Sequence, residues 1–225
     1  MPFNVAIDGP AGAGKSTVAK AVASGMGFIY VDTGAMYRAM ALHFIRCGID
    51  PSDEMAVAAA CAGADVTIRY ENGAQQVILN GENVSGLIRT EEVGNMASAT
   101  SGYAPVRAKL LELQRNLAKS ADVLMDGRDI GTCVLPDADL KIYLTASSLV
   151  RAKRRHKELL ERGETESLEE IERDIRERDY RDMHRELSPL KQAEDAVLLD
   201  SSDMTLLQVV ECIQSMIREK RGGKN

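Results

Sequence analysis

The segment that decides the fold lies close to the N-terminus and reads Gly9-Pro10-Ala11-Gly12-Ala13-Gly14-Lys15-Ser16. It matches the phosphate-binding loop pattern, in which a glycine is followed four residues later by Gly-Lys and then by Ser or Thr. The glycines allow the loop to curl so that successive backbone N–H groups point at phosphate oxygens. Lys15 is then expected to reach the terminal phosphates, and the Ser16 hydroxyl is expected to bind Mg²⁺.

The residues on either side of this loop provide the context that phosphate binding requires. Residues 3–8 form a short apolar segment that is typical of a buried strand, and residues 16–24 are rich in alanine and favour a helix. A helix that begins at the loop directs the positive end of its dipole at the phosphates. We therefore interpret the segment as a binding loop rather than as a chance glycine-rich turn.

Length and composition limit the class of protein. The 225 residues, of which 44% are hydrophobic, suffice for one sizeable α/β core with an inserted lobe. The net charge of −6 argues against a nucleic-acid partner, and the sequence has no apolar run long enough to span a membrane. Because the first expected strand begins at the third residue, no signal peptide is expected, and we predict a cytoplasmic location.

Cysteines and histidines give no indication of a metal or disulfide framework. The four cysteines are widely spaced and form no Cys-x-x-Cys pair: Cys47, Cys61, Cys133 and Cys212. This spacing argues against zinc and disulfides and favours a reducing compartment. The three histidines show no spacing typical of metal ligands.

Short apolar segments typical of buried strands recur along the chain. After the first, strands are expected at residues 28–31, 123–125, 140–144 and 196–199, and helices at about 34–46, 103–117 and 206–220, with Thr33 as the cap of the 34–46 helix. This alternation predicts a parallel sheet covered by helices, with ligands bound beyond the carboxyl ends of its strands. Aspartates follow these strands at five positions: Asp8, Asp32, Asp126, Asp129 and Asp200.

The pattern changes between residues 63 and 90. This segment contains, in order, an alternating stretch at 66–70, Asn72-Gly73, an apolar stretch at 76–79, Asn80-Gly81 and residues 82–84. Asn-Gly pairs between alternating stretches are typical of hairpins, so we predict a small antiparallel sheet inserted into the main fold. The core domain then comprises residues 1–62 and 91–225, with the charged segment at about 147–166 as a lid.

A phosphate-binding loop identifies a nucleoside triphosphate but not a reaction. The Asn-Lys-x-Asp motif of GTPases is absent, and the chain is too short for the partner domains of a motor or transporter ATPase. A small-molecule kinase needs further arginines to hold a second anionic substrate. Six are candidates: Arg38, Arg107, Arg128, Arg178, Arg181 and Arg185. The last three recur at i, i+3 and i+7, which predicts one helical face, although their spacing from neighbouring aspartates is also typical of a solvated surface.

Several segments together resemble the bacterial cytidylate kinases, which are nucleoside monophosphate kinases with a phosphate-binding loop. They are Ile7–Pro10 running into the loop, residues 32–38, residues 88–93, residues 126–132 and residues 177–182. The resemblance extends over about residues 5–205. Its most specific elements are Asp-Gly-Arg-Asp at 126–129 and the arginine–aspartate segment at 178–182, and the 63–90 segment resembles the inserted domain of that family.

The resemblance implies a three-layer P-loop kinase fold, in which helices cover a five-stranded parallel sheet and the antiparallel insertion lies on the nucleoside-monophosphate side. It implies transfer of the γ-phosphoryl group of MgATP to CMP or dCMP. ATP would be wrapped by Gly9, Pro10, Ala11, Gly12, Ala13, Gly14, Lys15, Ser16 and Thr17. Mg²⁺ would be bound by Ser16 directly and by Asp32 and Asp126 through water. The catalytic residues would be Lys15, Asp126, Arg128, Arg154 and Arg155.

The resemblance also implies how the acceptor and the adenine are held. The cytosine would be read by Thr33, Arg107 and Arg185, with Asp129 near its amino group. The sugar would contact Ser98, Arg178 and Asp182, and the phosphate would contact Tyr37, Arg38 and Arg128. Arg154 or Arg155 would approach the phosphates when the lid closes, and Ser201-Ser202-Asp203 would flank the adenine. Position 33 is often serine in the family, and threonine retains the hydroxyl.

Two alternatives to this function remain open. One is another small-molecule kinase, with shikimate, gluconate or a different nucleotide as acceptor, and the other is a nucleotide-binding regulator without activity. The insertion and the Asp-Gly-Arg-Asp segment argue against the first, and the set of arginines argues against the second. The charged surface without an apolar stripe favours a monomer whose partners are small nucleotides.

Overall fold

The computed structural model describes residues 2–161 and 163–223, so position 162 of the predicted lid lies outside the described residues. The strands are β1 (Asn4–Asp8), β2 (Ile29–Asp32), β3 (Val66–Glu71), β4 (Ala74–Leu79), β5 (Glu82–Asn83), β6 (Val123–Gly127), β7 (Leu140–Thr145) and β8 (Val197–Asp200). The helices are α1 (Lys15–Met26), α2 (Thr33–Arg46), α3 (Glu54–Cys61), α4 (Glu91–Thr100), α5 (Ala104–Ser120), α6 (Ser148–Glu161), α7 (Leu168–His184) and α8 (Leu206–Gly222). In these ranges, we find no helix with the length and apolar character needed to cross a bilayer.

Five strands form a parallel sheet in the order β2-β6-β1-β7-β8. Side chains of β1 alternate between its two faces. Val5 and Ile7 pack in one hydrophobic cluster with residues of α1 and α8, whereas Ala6 packs in another with residues of α2 and α5. The sheet is therefore the middle of three layers, which confirms the predicted fold class.

The predicted antiparallel sheet is also present. Its order is β3-β4-β5, and it is separate from the central sheet. Asn72 and Gly73 have φ values of 51° and 75° at the turn between β3 and β4, as a tight hairpin requires. Val77 and Leu79 belong to the same hydrophobic cluster as α2, so the insertion shares its apolar side with the core. The domain limits at residues 63 and 90 remain a prediction.

The start of α2 differs from the prediction. Asp32, not Thr33, is the N-cap, because its carboxylate accepts a hydrogen bond of 2.8 Å from the backbone N–H of Ala35. Thr33 takes the first helical position, and its hydroxyl donates to the carbonyl oxygen of Asp126 at 2.8 Å. The prediction did not include α3 or α4, although each begins behind a residue suited to capping, Asp53 and Thr90.

Gly9 lies where the loop leaves β1 and passes very close to β7. Its φ is 151°, and a Cβ atom at this position would lie 1.9 Å from the carbonyl oxygen of Leu144. No side chain fits between the two backbones, so the first glycine of the loop is required by the approach of the loop to the sheet.

Replacement of this glycine tests the packing argument. We expect Gly9→Ala to lower the free energy of unfolding by about 3 kcal/mol, and so the Tm by about 6–12 °C, because the backbone must shift. A matched control is Gly81→Ala, since Gly81 has a φ of 85° and open space around it. There we expect only the left-handed strain of about 1 kcal/mol. Equal losses of Tm in the two variants would contradict the role of the close approach.

Candidate active site

A cavity of about 540 Å³ lies along the carboxyl edge of the central sheet, and its volume is typical of a site for a small molecule. Most predicted site residues line it: Ala11, Gly12, Ala13, Gly14, Lys15, Ser16, Thr17, Asp32, Thr33, Tyr37, Arg38, Ser98, Arg107, Asp126, Arg128, Asp129, Arg154, Arg178, Asp182 and Arg185. Gly9, Pro10 and Arg155 are not among the residues that line it. The cavity therefore joins the phosphate-binding loop to the predicted acceptor residues.

The loop between β1 and α1 has the shape of an anion cradle. Gly12 and Gly14 have φ values of 74° and 83°, and α1 begins at Lys15 without a side-chain cap. The first N–H groups of α1 are therefore available to phosphate oxygens. The Lys15 ammonium is buried and donates to the carbonyl oxygen of Pro10 at 2.7 Å. Burial lowers the pKa of Lys15, and the charge of Arg128 lowers it further.

Oxygen ligands suited to Mg²⁺ lie beside this loop. The Ser16 hydroxyl donates to Asp126 Oδ2 at 2.9 Å, and the Tyr30 hydroxyl donates to Asp126 Oδ1 at 2.8 Å. Asp32 is the partner of Asp126 in the pairing of β2 with β6. Burial raises the pKa of Asp126, and the charge of Asp32 raises it further, so a cation between them would relieve the repulsion. These residues fit Mg²⁺, which is commonly bound by one or two carboxylates together with waters and substrate phosphates.

Asp32 is contacted from three directions. One carboxylate oxygen caps α2, and the other lies 2.9 Å from Arg89 Nη2 and 3.5 Å from Arg38 Nη2. Burial favours the neutral acid, but the charges of Arg38 and Arg89 hold the pKa of Asp32 below its usual range. Sequence reasoning assigned no role to Arg89, although it lies in a segment that matches the family.

Three of the residues expected around the base contact one another in the cavity. Asp129 forms an ion pair with Arg107, and Arg185 Nη2 lies 3.5 Å from Asp129 Oδ1. The guanidinium of Arg107 lies 5.7 Å from the centre of the Tyr37 ring. A carboxylate acceptor between two arginine donors can hydrogen-bond to the edge of a heterocycle.

Three residues that line the cavity have buried polar atoms without a partner among the described residues. Among the described residues, Arg38 Nε, Ser98 Oγ and Arg178 Nε are buried without a hydrogen-bond partner. Burial lowers the pKa of Arg178 to about 10, and the charge of Arg128 contributes to this shift. Since buried polar groups are nearly always hydrogen-bonded, these atoms are available to a ligand.

The ion pair between Arg128 and Asp182 lies next to these atoms. Arg128 Nε is 2.9 Å from Asp182 Oδ2. Burial alone would raise the pKa of Asp182, but the charges of Arg128 and Arg178 hold it below the usual range. Asp182 is therefore ionised, and Arg128 is a cation beside it.

The prediction of a shared face for Arg178, Arg181 and Arg185 is wrong for Arg181. Arg178 and Asp182 lie one turn apart on α7 and face the cavity, whereas Arg181 lies further round the helix and is exposed. Arg185 follows the end of α7, where its Nε donates to the carbonyl oxygen of Ser188 at 2.7 Å.

The arginines of the basic helix α6 lie in different environments. Arg154 lines the cavity, and its Nη2 donates to the carbonyl oxygen of Ser201 at 2.8 Å. Arg155 is half-buried, does not line the cavity and lies 3.6 Å from Glu158. Of the residues expected to flank adenine, Ser201 lines the cavity, while Ser202 and Asp203 do not. The apolar residues Met204, Leu206 and Val209 line it instead.

Arg151 is a supporting residue that sequence reasoning grouped with the lid. It is buried, and its guanidinium pairs with Asp179 Oδ2 at 2.7 Å and donates to the carbonyl oxygen of Ala11 at 2.8 Å. Asp179 Oδ1 accepts from the backbone N–H of Ala11 at 3.3 Å. Arg151 is thus fixed to the phosphate-binding loop. The available signal was Asp179, which lies in a segment that matches the family.

Asp8 fixes the turn that follows Arg128 and Asp129. Its two carboxylate oxygens accept from the backbone N–H groups of Ile130 and Gly131, each at 2.7 Å. These residues begin a π-helical turn, Ile130–Val134, directly after Arg128 and Asp129. Burial raises the pKa of Asp8 to about 6. Asp8 therefore connects the end of β1 to the loop that carries Arg128 and Asp129.

Comparison with known families identifies the relationship of this chain. The family model described as cytidylate kinase matches residues 5–219. The chain belongs to the cytidylate kinase family. The match includes the phosphate-binding loop, the insertion and the arginines of α7.

Curated relatives agree with the cytidylate kinase assignment. The chain is 49% identical over 219 residues to a cytidylate kinase of Lactobacillus johnsonii, which covers 97% of this chain and 95% of the relative. It is 47% identical to a cytidylate kinase of Geobacter sp. strain M21, covering 96% of this chain and 93% of the relative. A gluconokinase structure from Sinorhizobium meliloti aligns over 100% of this chain and 98% of its own with a TM-score of 0.51. At 14% identity, that likeness indicates a shared fold only.

The contacts of Arg151 predict its contribution to this cytidylate kinase family member. Arg151→Met would leave Asp179 buried without its cation and would release the Ala11 carbonyl. We expect a loss of about 3 kcal/mol in the free energy of unfolding and an ATP affinity about tenfold weaker. Thermal unfolding and titration calorimetry measure the two effects.

A control for this variant is Arg173→Met. Arg173 has a side chain that is 64% exposed and lies 3.6 Å from Asp174. A surface pair of this kind contributes about 0.5 kcal/mol or less. If both variants kept the ATP affinity of the parent protein, the support of the loop by Arg151 would be disproved.

Proposed function

We propose that this chain transfers the γ-phosphoryl group of MgATP to CMP or dCMP and releases ADP with CDP or dCDP. The observation that carries the proposal is the arginine-rich part of the cavity, where Arg38, Ser98 and Arg178 have buried polar atoms without partners among the described residues. An acceptor with a phosphate and a sugar hydroxyl would supply the missing hydrogen bonds. Membership of the cytidylate kinase family supports cytosine as its base.

Residues 9–17 are proposed to hold the donor. The N–H groups of the loop and of the first turn of α1 bind the phosphates of ATP, and Lys15 moves from the Pro10 carbonyl to the transferring group. Ser16 would ligate Mg²⁺ directly, while Asp32 and Asp126 would hold its waters. When bound, Mg²⁺ neutralises charge on the phosphate oxygens. The apolar residues Met204 and Leu206 offer the adenine a surface beside Ser201.

The acceptor would lie with its base toward Asp129 and its phosphate toward the loop. Arg107, Arg185 and Thr33 are proposed to read the cytosine, whose amino group donates to Asp129. Arg178, Asp182 and Ser98 are proposed to contact the sugar. The phosphate is proposed to contact Arg38, Arg128 and Tyr37, at the end of the cavity nearest to Asp32 and Asp126.

The chemistry requires positioning and charge stabilisation rather than a dedicated base. Phosphoryl transfer passes through a loose transition state, in which charge spreads over the oxygens of the transferring group. Lys15 and Arg128 are proposed to stabilise that charge. Arg154 and Arg155 are proposed to approach when a lid at about 147–166 closes and excludes water. Arg154 would then exchange the Ser201 carbonyl for a phosphate, and Arg155 would leave Glu158.

Another small-molecule kinase is the competing function. The fold is shared with a gluconokinase, but at 14% identity that likeness does not identify a substrate. Asp129 between Arg107 and Arg185 favours a heterocyclic base, whose edge offers both donors and acceptors. We also propose that the protein is a monomer. We propose a location in the cytoplasm, since four unpaired cysteines suit a reducing compartment.

A coupled assay of ADP release tests the proposed function. MgATP is supplied with CMP, dCMP, UMP, AMP, shikimate or gluconate in parallel reactions. We expect kcat/KM for CMP and dCMP to exceed that for each other acceptor at least about tenfold, since the base contacts select cytosine. Turnover of shikimate or gluconate above CMP would support the competing function, and binding of ATP without turnover of any acceptor would refute a kinase of this specificity.

Arg185→Ala tests the proposed base contact. Because the variant loses a donor to the base, we expect the ratio of kcat/KM for CMP to that for UMP to fall about tenfold or more. Arg181→Ala serves as the control, since Arg181 is exposed and lies outside the cavity. An unchanged ratio in Arg185→Ala would remove Arg185 from the base site.

A further inference from the structure

The antiparallel insertion contacts the free edge of the central sheet through Gln75 and through Tyr70, whose hydroxyl donates to the carbonyl oxygen of Tyr30 at 3.2 Å. β2 is an outermost strand, and Gln75 of β4 lies beside its last residue. The backbone N–H of Asp32 donates to Gln75 Oε1 at 2.8 Å, and Gln75 Nε2 donates to the carbonyl oxygen of Asp32 at 3.1 Å. The Gln75 amide thus takes the place of a neighbouring strand at this residue.

The insertion holds the side chain of Asp32 as well as its backbone. Arg89, at the end of the inserted segment, places Nη2 at 2.9 Å from Asp32 Oδ2. The Asp32 side chain is only 6% exposed, whereas that of Arg89 is 53% exposed, so the arginine reaches inward from the surface. Arg38 Nη2 lies 3.5 Å from the same oxygen. The insertion therefore competes with an acceptor-site arginine for the Asp32 carboxylate.

The position of Asp32 affects both the carboxylate pair beside the phosphate-binding loop and the arginine Arg38 on the acceptor side. Asp32 pairs in register with Asp126, whose Oδ2 accepts from Ser16 of the phosphate-binding loop. A displaced Asp32 backbone changes the space between the two carboxylates. An unpaired Asp32 carboxylate draws Arg38 closer and away from an acceptor phosphate.

We propose that Gln75 and Arg89 are positioning residues, through which the insertion sets the place and orientation of Asp32 for the bound Mg²⁺–nucleotide and for Arg38. This inference rests on the proposed function, since Asp32 is assigned there to the waters of Mg²⁺. Outer residues of this kind typically change metal affinity by 10–100-fold when they are removed. The insertion then takes part in catalysis as well as in shaping the acceptor side.

Another contact between the core and the insertion provides a contrast. Arg46 of α2 pairs with Glu82 of β5 at 2.7 Å, and both side chains are 40% or more exposed. This pair joins the same two parts of the chain without a contact to Asp32. Gln76, next to Gln75, accepts from Asn83 within the insertion at 3.0 Å. If the insertion acted only by its attachment, loss of these contacts would resemble loss of Gln75 and Arg89.

The experiment compares two matched pairs in the full chain: Arg89→Met with Arg46→Met, and Gln75→Ala with Gln76→Ala. Calorimetry gives the Kd of ATP with and without Mg²⁺, and steady-state kinetics gives kcat and the KM for CMP. In Arg89→Met and Gln75→Ala we expect the gain in ATP affinity from Mg²⁺ to shrink about tenfold, with a lower kcat. In both controls we expect the gain to match the parent protein. Arg89→Lys, which keeps the positive charge, is expected to recover part of the loss.

The outcomes separate this inference from the proposed function. Equal Mg²⁺ gains in test and control variants, or a change in Tm alone, would overturn the positioning role. If the parent protein binds MgATP but does not use CMP, the proposed function fails, and the binding data still decide the role of Gln75 and Arg89. If Gln75→Ala does not fold, Arg89→Met decides, because Arg89 is half exposed and its loss leaves no cavity in the core.

Discussion

The parallel pairing of β2, β6 and β1 is the constraint on which the site depends. Its register places Asp32 beside Asp126 and Asp8 beside Gly127, so the carboxyl ends of three strands meet at one edge. The phosphate-binding loop leaves β1 at that edge, with Gly9 pressed against the backbone of β7. A shift of one residue in any of these strands would turn the aspartates toward the opposite face of the sheet. The cavity exists because this register brings chain-distant polar residues together.

Charge in this cavity is balanced by pairing rather than by exposure to water. Asp129, Asp182 and Asp179 each have an arginine partner, and the first two of these pairs line the cavity. Isolated buried charges are strongly unfavourable, so the arginines keep the carboxylates ionised and the carboxylates keep the arginines in place. An anionic substrate can replace a carboxylate as the partner of an arginine with little change in electrostatic free energy. The cavity is therefore already arranged for negatively charged ligands.

The insertion contacts this set of paired charges through Asp32. In sequence it reads as an independent hairpin unit, with Asn-Gly turns and alternating strands. In the structure its Gln75 contacts the backbone of Asp32, and its Arg89 contacts the Asp32 carboxylate, which also lies near Arg38. The inserted segment is thus in contact with Asp32, in one of the segments that match the family.

Local sequence was sufficient to predict the elements whose sequence patterns lie within a short, contiguous stretch of the chain. The phosphate-binding loop, the five strands of the central sheet and both hairpin turns follow from nearest neighbours, because glycine freedom, apolar runs and Asn-Gly pairs act within a few residues. The resemblance to a family supplied the residues of the acceptor site, most of which line the cavity. Thr33 was misplaced as a cap because Asp32 is an equally good candidate, and only the backbone shows which residue is extended.

The sequence by itself therefore determined the fold class, the donor loop and the family. Tertiary structure decided which arginines are buried: Arg151 is buried on the loop, whereas Arg155 of the same helix is half-buried and Arg181 of α7 is exposed. It also decided the support of the site by Asp8, Gln75 and Arg89, whose partners lie 43 to 123 residues away in the chain. Charge type and helical spacing are local properties, whereas burial and pairing depend on what the rest of the chain places opposite each side chain.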